Sequence, residues 1–402
     1  MQKTTSDLLQ ELKSLSEQYQ DKWIHYRRTF HAIPELSWFE EKTIVSLEAI
    51  LKKIQAETPF PFVIKKIEGA LVLDWIFNPS NKMILFRADI DGLPIQEDTN
   101  TSFQSTHSGI MHACGHDFHI AMLLGAIDIM HIHSVKPSLN LRFVFQRAEE
   151  TGLSRCGGKV CVDEGICDDV EAVYGLHISS TLDSGIFFSK PGALLANTQV
   201  IDIAVTSSGG HVMHPNEGSN AIDILSNILF SLKGIESQIL NPLKQVILVP
   251  SMIQAGTAGN IRPNTGSLTL ALRSFLTDEE LIFFSEALYK KINTIVNSFA
   301  TANLSKFEIN KGYPILINDA LIFEQTNSLL KKTFETKTAH PLFAGEDFSY
   351  YLKKKPGVYW MLGAKNGPGQ DHHSATFNPD ESVLWKGVLF WLLIAYESSI
   401  DR

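Results

Sequence analysis

Short apolar runs separated by polar turns predict alternating strands and helices in the first half of the chain. Residues 72–77, 83–88, 139–146 and 172–176 are apolar runs of strand length, and residues 120–133 carry apolar side chains at helical spacing. This alternation is typical of an α/β sheet with helices on its faces. In such sheets, sites gather beyond the carboxyl ends of the strands.

The middle of the chain has a different rhythm and predicts a second structural unit. Its expected elements, in order, are a strand at 199–206, a helix at 220–237, strands at 245–250 and 267–273, a helix at 278–298 and a strand at 307–309. The second helix begins with three acidic residues, as the helix dipole favours. The order β-α-β-β-α-β is that of the split-βαβ, ferredoxin-like plait.

A strand at 359–363 then returns to the first sheet, so the plait is an insertion. We predict a larger α/β domain formed by residues 1–190 and 308–402, and an inserted domain formed by residues 191–307. The segments near Pro191 and Lys306 would join the two domains and serve as hinges. A length of 402 residues agrees with two domains.

Charge and hydropathy exclude several classes of partner. The net charge of −9 and the absence of a basic stripe argue against nucleic acid. The longest apolar run, 388–396, is too short to span a bilayer and predicts a buried C-terminal helix. Residues 1–10 contain no apolar signal segment. We therefore expect a cytoplasmic protein without a membrane partner.

One nine-residue run is unusually rich in potential metal ligands. Residues 111–119 contain three imidazoles, a thiol and a carboxylate, namely His112, Cys114, His116, Asp117 and His119. Sulfur and nitrogen ligands suit zinc, manganese, cobalt or nickel better than magnesium or calcium. The alternative is a solvated loop with scattered histidines.

Further polar side chains follow the predicted strands by one to four residues. They are Asp89, Glu149, Glu150 and His177, and a later group is Asp371, His372 and His373. A two-metal hydrolytic site needs about four to six ligands and one free carboxylate as base. In the pair Glu149–Glu150, one carboxylate could bind metal while its neighbour holds a water. Each residue alone is a weak signal, because an isolated histidine at a strand end is more often packed or exposed than a ligand.

Several motifs in fixed order resemble the M20 metallopeptidase superfamily, specifically its amidohydrolase branch. That branch includes N-acyl-amino-acid amidohydrolases, hippurate hydrolases and plant auxin-conjugate hydrolases. The longer motifs are RRTFHAIPELS at 27–37, RADIDGLP at 87–94 and GIMHACGHD at 109–117. The shorter motifs are AEE at 148–150, GLH at 175–177, GGH at 209–211, EDF at 346–348 and HS at 373–374.

The resemblance implies a metal-dependent exopeptidase-like catalytic domain with an inserted lid and dimerisation domain. It also implies two divalent metal ions per subunit (zinc, manganese, cobalt or nickel). The implied metal ligands are Cys114, which bridges the ions, and His116, Glu150, His177 and His373. Glu149 would be the general base.

Other implied roles concern orientation and substrate binding. Asp91 would orient a metal ligand. His211 would reach the site of a partner subunit in a homodimer and donate to the carbonyl oxygen. Asn260 and Arg273 would bind substrate, with Arg273 as a carboxylate clamp.

Some assignments required a choice between neighbours. We prefer His373 to His372 because Phe377 lies four residues beyond His373, as in the branch. His112, Asp117 and His119 are interpreted as supporting or structural groups. The segment 210–216 departs from the branch pattern at Val212, Met213 and Asn216, which puts the shape of the acyl pocket in question. Residues 151–155 lack the usual glycine-rich run.

The resulting hypothesis is metal-dependent hydrolysis of N-acyl-amino acids to a carboxylic acid and a free amino acid. The alternatives are an N-acetyl-diaminopimelate deacetylase or a dipeptidase or carboxypeptidase on the same scaffold. A catalytically inactive binding protein would require a lost ligand or base, and every matched position is intact. Cys156, Cys161 and Cys167 lack the spacing of a zinc ribbon or finger, so structural thiols are favoured over a second metal site.

Overall fold

The first part of the chain builds most of a mixed eight-stranded sheet. A computed structural model of the protein describes residues 5–57, 61–133, 135–152 and 155–397. The elements up to the insertion are α1 (Thr5–Gln18), α2 (Gln20–His31), α3 (Glu41–Glu57), β1 (Val63–Ile67), β2 (Ala70–Trp75), β3 (Met83–Asp89), α4 (His116–Ile132), β4 (Asn140–Gln146), α5 (Gly157–Asp163), β5 (Ala172–Ser179), β6 (Phe187–Ser189) and β7 (Gly192–Leu195).

The inserted elements and those that follow complete the chain. The insertion contains β8 (Asn197–Thr206), β9 (Gly210–His211), α6 (Ala221–Ser231), α7 (Ile235–Ile239), β10 (Val246–Ala255), β11 (Ile261–Arg262), β12 (Thr265–Ser274), α8 (Asp278–Asn297) and β13 (Asn303–Lys311). After it come β14 (Leu316–Asn318), α9 (Ala320–Leu330), β15 (Thr336–Thr338), α10 (Ser349–Lys354), β16 (Gly357–Gly363), a 3-10 turn (Glu381–Val383) and α11 (Leu384–Ala395).

The large sheet has the strand order β1-β2-β4-β3-β5-β16-β6-β15. Its four central strands, β4, β3, β5 and β16, are parallel to one another. Their side chains are buried on both faces, which explains why they read as continuous apolar runs in the sequence. The parallel arrangement brings four carboxyl ends to one edge of the sheet, where the site lies.

Helices cover both faces of this sheet. On one face, Phe86 and Tyr174 pack in a core with Trp391 of α11 and the buried side chains of α4. On the other face, Val144 and Val173 pack with residues of α5 and α10. The predicted α/β class is therefore confirmed, as is the buried C-terminal helix. Within the described ranges, no helix combines the length and the apolar character needed to cross a membrane.

The inserted unit is an antiparallel sheet of order β10-β12-β8-β13 with α6 and α8 packed against it. Taken in chain order, its strands and long helices follow the predicted β-α-β-β-α-β plait. In β8, buried and half-buried side chains alternate, because one face of the sheet carries the core. The predicted domain boundaries at 190/191 and 307/308 stay predictions, and β13 continues to Lys311.

Two element predictions in this unit were wrong in detail. The helix predicted over 220–237 is interrupted after Ser231, and Gly234 adopts a left-handed φ of 70° before α7 begins. The strand predicted over 245–250 continues to Ala255, with an irregularity in pairing between Pro250 and Met252. Pro250 is tolerated because β10 is an edge strand.

Candidate metal centre

The parallel strands bring the predicted polar side chains together at one edge of the sheet. Asp91 follows β3, the pair Glu149–Glu150 follows β4, and His177 lies near the end of β5. His373 lies on the loop that follows β16. His116 is the first residue of α4, and Cys114 lies two residues before it. These elements are neighbours in space although their residues are far apart in sequence.

The five predicted metal ligands form two groups that share one thiol. The ligand atoms of Cys114, His116 and His177 all lie within 4.8 Å of one another, and so do those of Cys114, Glu150 and His373. The Cys114 Sγ to His177 Nε2 distance is 3.5 Å. This pairing of groups is the arrangement that a bridging Cys114 requires.

Two buried atoms in these groups test whether metal ions fit. Among the described residues, His116 Nε2 and Glu150 Oε1 have no hydrogen-bond partner, although both atoms are inaccessible to solvent. Leaving such atoms unpaired is costly, and a cation would satisfy both. Thiolate, imidazole and carboxylate donors together suit a transition-metal ion. The residues present therefore fit a pair of divalent cations.

The charge around the cluster also favours cations. Burial, followed by the nearby Glu150 and Glu149 carboxylates, raises the pKa of the Cys114 thiol well above its ordinary value. Burial alone would lower the pKa of His116, but Asp89 and Asp91 outweigh it and raise that pKa to about 10. A bound cation inverts this situation, because it stabilises the thiolate and neutralises the carboxylates.

Glu149 lies between the ligand groups and a second set of carboxylates. A carboxylate oxygen of Glu149 lies within 4.8 Å of a ring nitrogen of His116 and of a carboxylate oxygen of Glu150. A carboxylate oxygen of Glu149 also lies within 4.8 Å of carboxylate oxygens of Glu346 and Asp347. Burial, then the charges of Glu346 and Glu150, raises the pKa of Glu149 well above its ordinary value. Glu149 is therefore a buried carboxyl group that binds a proton readily.

The turn before Glu149 is strained and firmly held. Ala148 has a positive φ of 53°, which is uncommon for a residue with a side chain. Its N–H donates to Glu40 Oε1 at 2.8 Å, and the Arg147 guanidinium donates to Glu40 Oε2 at 2.8 Å. Sequence reasoning did not single out Glu40, which lies more than a hundred residues away. Backbone strain of this kind is often retained at functional sites.

Asp91 connects two ligand-bearing segments. Its Oδ1 lies 3.1 Å from His116 Nδ1, and its Oδ2 accepts from the Glu150 N–H at 2.9 Å and from the Ser37 hydroxyl at 2.7 Å. With Nδ1 engaged in this way, His116 is left with Nε2 toward the cluster. The geometry suits the orienting role that the resemblance implied for Asp91.

The neighbouring polar groups have mostly structural partners. Both nitrogens of His119 are engaged, one by Asp89 and the other by the Ile178 N–H. Asp117 pairs with Arg27 and His31. His112 is buried without a hydrogen-bond partner among the described residues, and burial lowers its pKa to about 4.

The two adjacent histidines of the last motif face different surroundings. His372 Nε2 accepts from the Ser180 N–H at 3.2 Å, whereas His373 Nε2 lies 3.5 Å from Glu150 Oε1. His373 has a left-handed φ of 62°, and its N–H donates to the Ala113 carbonyl at 2.8 Å. The preference for His373 as the ligand candidate therefore agrees with its position in the cluster.

A buried arginine holds the second set of carboxylates. Arg87 pairs with Asp89, with Asp347 at 2.6 Å and with Glu346 at 2.9 Å. Sequence reasoning matched the motifs that contain these residues but assigned them no role. The available signal was a charged residue inside the apolar run of β3, since a buried guanidinium requires acidic partners.

A cleft of about 590 Å³ opens onto the cluster. Its polar lining includes Glu149 and Arg273, and Arg273 comes from β12 of the inserted unit. Apolar side chains that sequence reasoning missed also line it, namely Leu195, Leu342, Phe343 and Met361. Leu195 ends β7 and Leu342 and Phe343 lie in a loop, where no periodic pattern marks them, whereas Met361 lies within the predicted strand β16 but was not assigned to a site.

Two predicted substrate residues lie outside this cleft. His211 and Asn260 are exposed on the inserted unit and are absent from the described residues that line the cleft. His211 pairs with Ile261 across the small β9–β11 ladder. The role expected for His211 involves a partner subunit, so it stays a prediction.

All four cysteines are free thiols, as expected for a chain without a disulfide framework. Cys156, Cys161 and Cys167 are buried, and burial is the main cause that raises their pKa values. Among the described residues, none of the three belongs to a group with metal-ligand geometry. The geometry therefore favours a structural role for these three thiols.

Comparisons with known proteins place the chain among metal-dependent hydrolases. The model of peptidase family M20/M25/M40 matches residues 85–397. The thermostable carboxypeptidase 2 of Saccharolobus solfataricus is 32% identical over 98% of this chain and 99% of its own length. The N-acetyldiaminopimelate deacetylase of Leuconostoc mesenteroides is 33% identical over 90% and 93%. A solved dinuclear metal-binding M20 peptidase from Bacillus subtilis is 25% identical, with a TM-score of 0.80 over 94% of this chain and 98% of its own.

Proposed function

Because the chain belongs to peptidase family M20/M25/M40 and is a metal-dependent hydrolase, we propose that it hydrolyses the amide bond of N-acyl-amino acids. The products would be a carboxylic acid and a free amino acid. One observation carries the proposal: a single cleft is lined by four of the five candidate metal ligands, by Glu149 and by Arg273. These are the groups needed to activate a water, transfer a proton and hold a carboxylate.

The ligand set accounts for two ions, with zinc, manganese, cobalt and nickel as the candidates. His116 and His177 would hold one ion and Glu150 and His373 the other, while Cys114 is shared. When bound, the ions would supply electrophilic activation of the amide carbonyl and of the attacking water.

Glu149 performs the proton transfer. It accepts a proton from water as the water oxygen bonds to the carbonyl carbon. It then delivers this proton to the amide nitrogen as the carbon–nitrogen bond breaks, so that the amine leaves as a neutral group. Glu150, whose N–H donates to Asp91, would bind metal and take no part in the proton transfer.

Arg273 binds the carboxylate of the amino-acid half. Burial lowers its pKa, and the one hydrogen bond that its guanidinium makes to the described residues goes to the neighbouring Leu272 carbonyl. A half-buried guanidinium without an acidic partner is suited to a carboxylate ligand. A bound carboxylate would accept hydrogen bonds from guanidinium N–H groups that no protein group among the described residues engages.

The apolar lining favours a substrate with one carboxylate and an apolar remainder. Besides histidines, Arg273 is the single cationic side chain among the described residues of the lining. Leu342, Phe343 and Met361 offer an apolar surface to an acyl group or side chain. N-acetyl-diaminopimelate, with charges at both ends, would leave one end unpaired on this surface. Deacetylation of that compound and peptidase activity are the second candidates, because relatives of both kinds match the chain.

A substrate panel tests the proposal. The metal-loaded enzyme is assayed with acetyl-, benzoyl- and longer acyl-amino acids, N-acetyl-diaminopimelate and dipeptides, with Glu149→Gln as the inactive control. We expect the highest kcat/KM for an apolar acyl-amino acid. A preference of tenfold or more for N-acetyl-diaminopimelate or for a dipeptide would overturn the assignment in favour of that class.

We further propose that His211 acts in the site of a partner subunit within a homodimer. Its exposure on the inserted unit, away from the cleft of its own chain, supports a role in trans. Mixing Glu149→Gln and His211→Ala subunits would then restore activity to about a quarter of the wild-type rate, since half of randomly formed dimers are mixed and each has one intact site. Mixed samples that stay inactive would place the role of His211 in its own subunit or remove it.

A further inference from the structure

The chain crosses between the main and the inserted unit twice, and the two crossings are bonded to each other. The first crossing enters β8, and the second leaves β13. The Thr198 N–H donates to the Tyr313 carbonyl at 2.9 Å, and the Tyr313 N–H donates to the Thr198 hydroxyl at 2.8 Å. The Gly312 N–H donates to the Thr198 carbonyl at 2.8 Å. The two connecting segments therefore form one hydrogen-bonded junction.

The side chain of Tyr313 reaches from this junction to the loop that carries the candidate base. Its hydroxyl donates to the carbonyl oxygen of Glu149 and accepts from the N–H of Gly152 at 2.8 Å. One phenol thus closes both ends of the four-residue loop Glu149–Gly152. The ring is buried, with 5% of its surface exposed.

Close packing reinforces this contact between junction and loop. A Cβ on Gly312 would lie 2.8 Å from the Gly152 carbonyl oxygen and would also collide with the Thr198 hydroxyl. The backbone of the second crossing therefore lies directly against the loop, where only glycine fits. Tyr313 therefore connects the junction of the two units to the carbonyl of Glu149.

We infer that Tyr313 is a positioning residue for the reaction: its hydroxyl ties the junction of the two units to the loop that carries Glu149 and Glu150. Only the kinetic consequence of this inference rests on the proposed function. The bonds themselves hold the loop whether or not substrate is present. A phenylalanine at this position would fill the same space but make neither bond.

Hydrogen exchange of the metal-loaded enzyme tests the structural link without substrate. In Tyr313→Phe, we expect the Gly152 amide to exchange about tenfold faster than in the wild type, since its acceptor is lost. The matched control is Tyr350→Phe. The Tyr350 hydroxyl donates to the Gly312 carbonyl at 3.1 Å in the same junction but makes no bond to the loop. Unchanged exchange in Tyr313→Phe, or equal acceleration in Tyr350→Phe, would overturn the inference.

Kinetics test the consequence for catalysis. Tyr313→Phe should lower kcat by about tenfold or more while KM changes less than about twofold, because a displaced base slows the chemical step without weakening substrate binding. Both metal ions should remain bound, and Tyr350→Phe should keep the wild-type kcat. If Tyr313→Phe keeps the wild-type kcat and the wild-type substrate preference, the positioning role is refuted. If the wild-type enzyme cleaves no acyl-amino acid, the proposed function is refuted instead. The hydrogen-exchange result then decides whether Tyr313 holds the loop.

A second variant covers the case in which Tyr313→Phe does not fold. Thr198→Val keeps the shape of the side chain but removes the acceptor of the Tyr313 N–H. It should accelerate Gly152 exchange in the same direction and by a smaller factor. Wild-type exchange in this variant would count against a link between junction and loop.

Discussion

At the scale of single residues, the adjacent carboxylates Glu149 and Glu150 are assigned opposite tasks. Glu149→Gln keeps the shape of the side chain but removes the base, so both metal ions should stay bound while kcat falls about a hundredfold or more. Glu150→Gln should instead deplete the metal, because it removes a charged ligand from the group with Cys114 and His373. Elemental analysis and steady-state rates of the two variants check this.

The pair serves as its own control, since the substitutions are identical and one residue apart. Metal loss in Glu149→Gln with metal retained in Glu150→Gln would show that the roles are reversed. A fully active Glu149→Gln enzyme would remove the base from Glu149 altogether.

Much of the candidate site could be predicted because its strongest signal is local. Cys114 and His116 stand two residues apart, and Glu149 and Glu150 lie three and four residues beyond the end of a strand, so short motifs were enough to propose them. The supporting contacts were not predictable in the same way. Glu40 meets Ala148 across 108 residues, and Arg87 meets Asp347 across 260. Such contacts depend on how the elements pack, which no short pattern encodes.

At the scale of elements, the break between α6 and α7 depends on one glycine. Gly234 adopts a φ of 70°, a conformation that costs a residue with a Cβ about 1 kcal/mol. No atom lies within 3.4 Å of a Cβ built there, so Gly234→Ala should lower the free energy of unfolding by about that amount through backbone strain alone. Urea unfolding checks it.

Gly259→Ala is the matched control for this prediction. A Cβ at Gly259 has open space, and its φ lies outside the left-handed region. The stability of that variant should stay within about 0.5 kcal/mol of the wild type. Equal losses in both variants would mean that the left-handed conformation of Gly234 is not the cause.

Helical spacing predicted one helix where Gly234 makes two, because apolar periodicity continues across the break. Similarly, β10 extends beyond its predicted end at residue 250, since the exposed edge strand carries Ser251 and Gln254 after its apolar start. The central strands were predicted closely because burial on both faces demands apolar side chains throughout. Elements at the periphery obey weaker constraints and so leave weaker signals.

At the scale of the whole molecule, metal ions would connect segments from across the chain. Removing them with a chelator should abolish activity, and adding zinc, manganese, cobalt or nickel should restore it. The metal-free protein should also unfold at a lower temperature, because ions that bind only the folded state stabilise it. Cys114→Ala should bind metal poorly from the start, so adding the chelator should lower its unfolding temperature little further. Full turnover in a preparation shown by elemental analysis to be metal-free would contradict this.

The order of the ligands along the chain has a consequence for biosynthesis. The candidate ligands Cys114, His116 and His177 have all been synthesised once residue 177 is reached, whereas the group with Glu150 requires His373. During translation, the second group therefore cannot form until the inserted unit and β16 have followed. Maturation of the centre would therefore proceed in two stages, with the second ion entering only after residue 373 has been added.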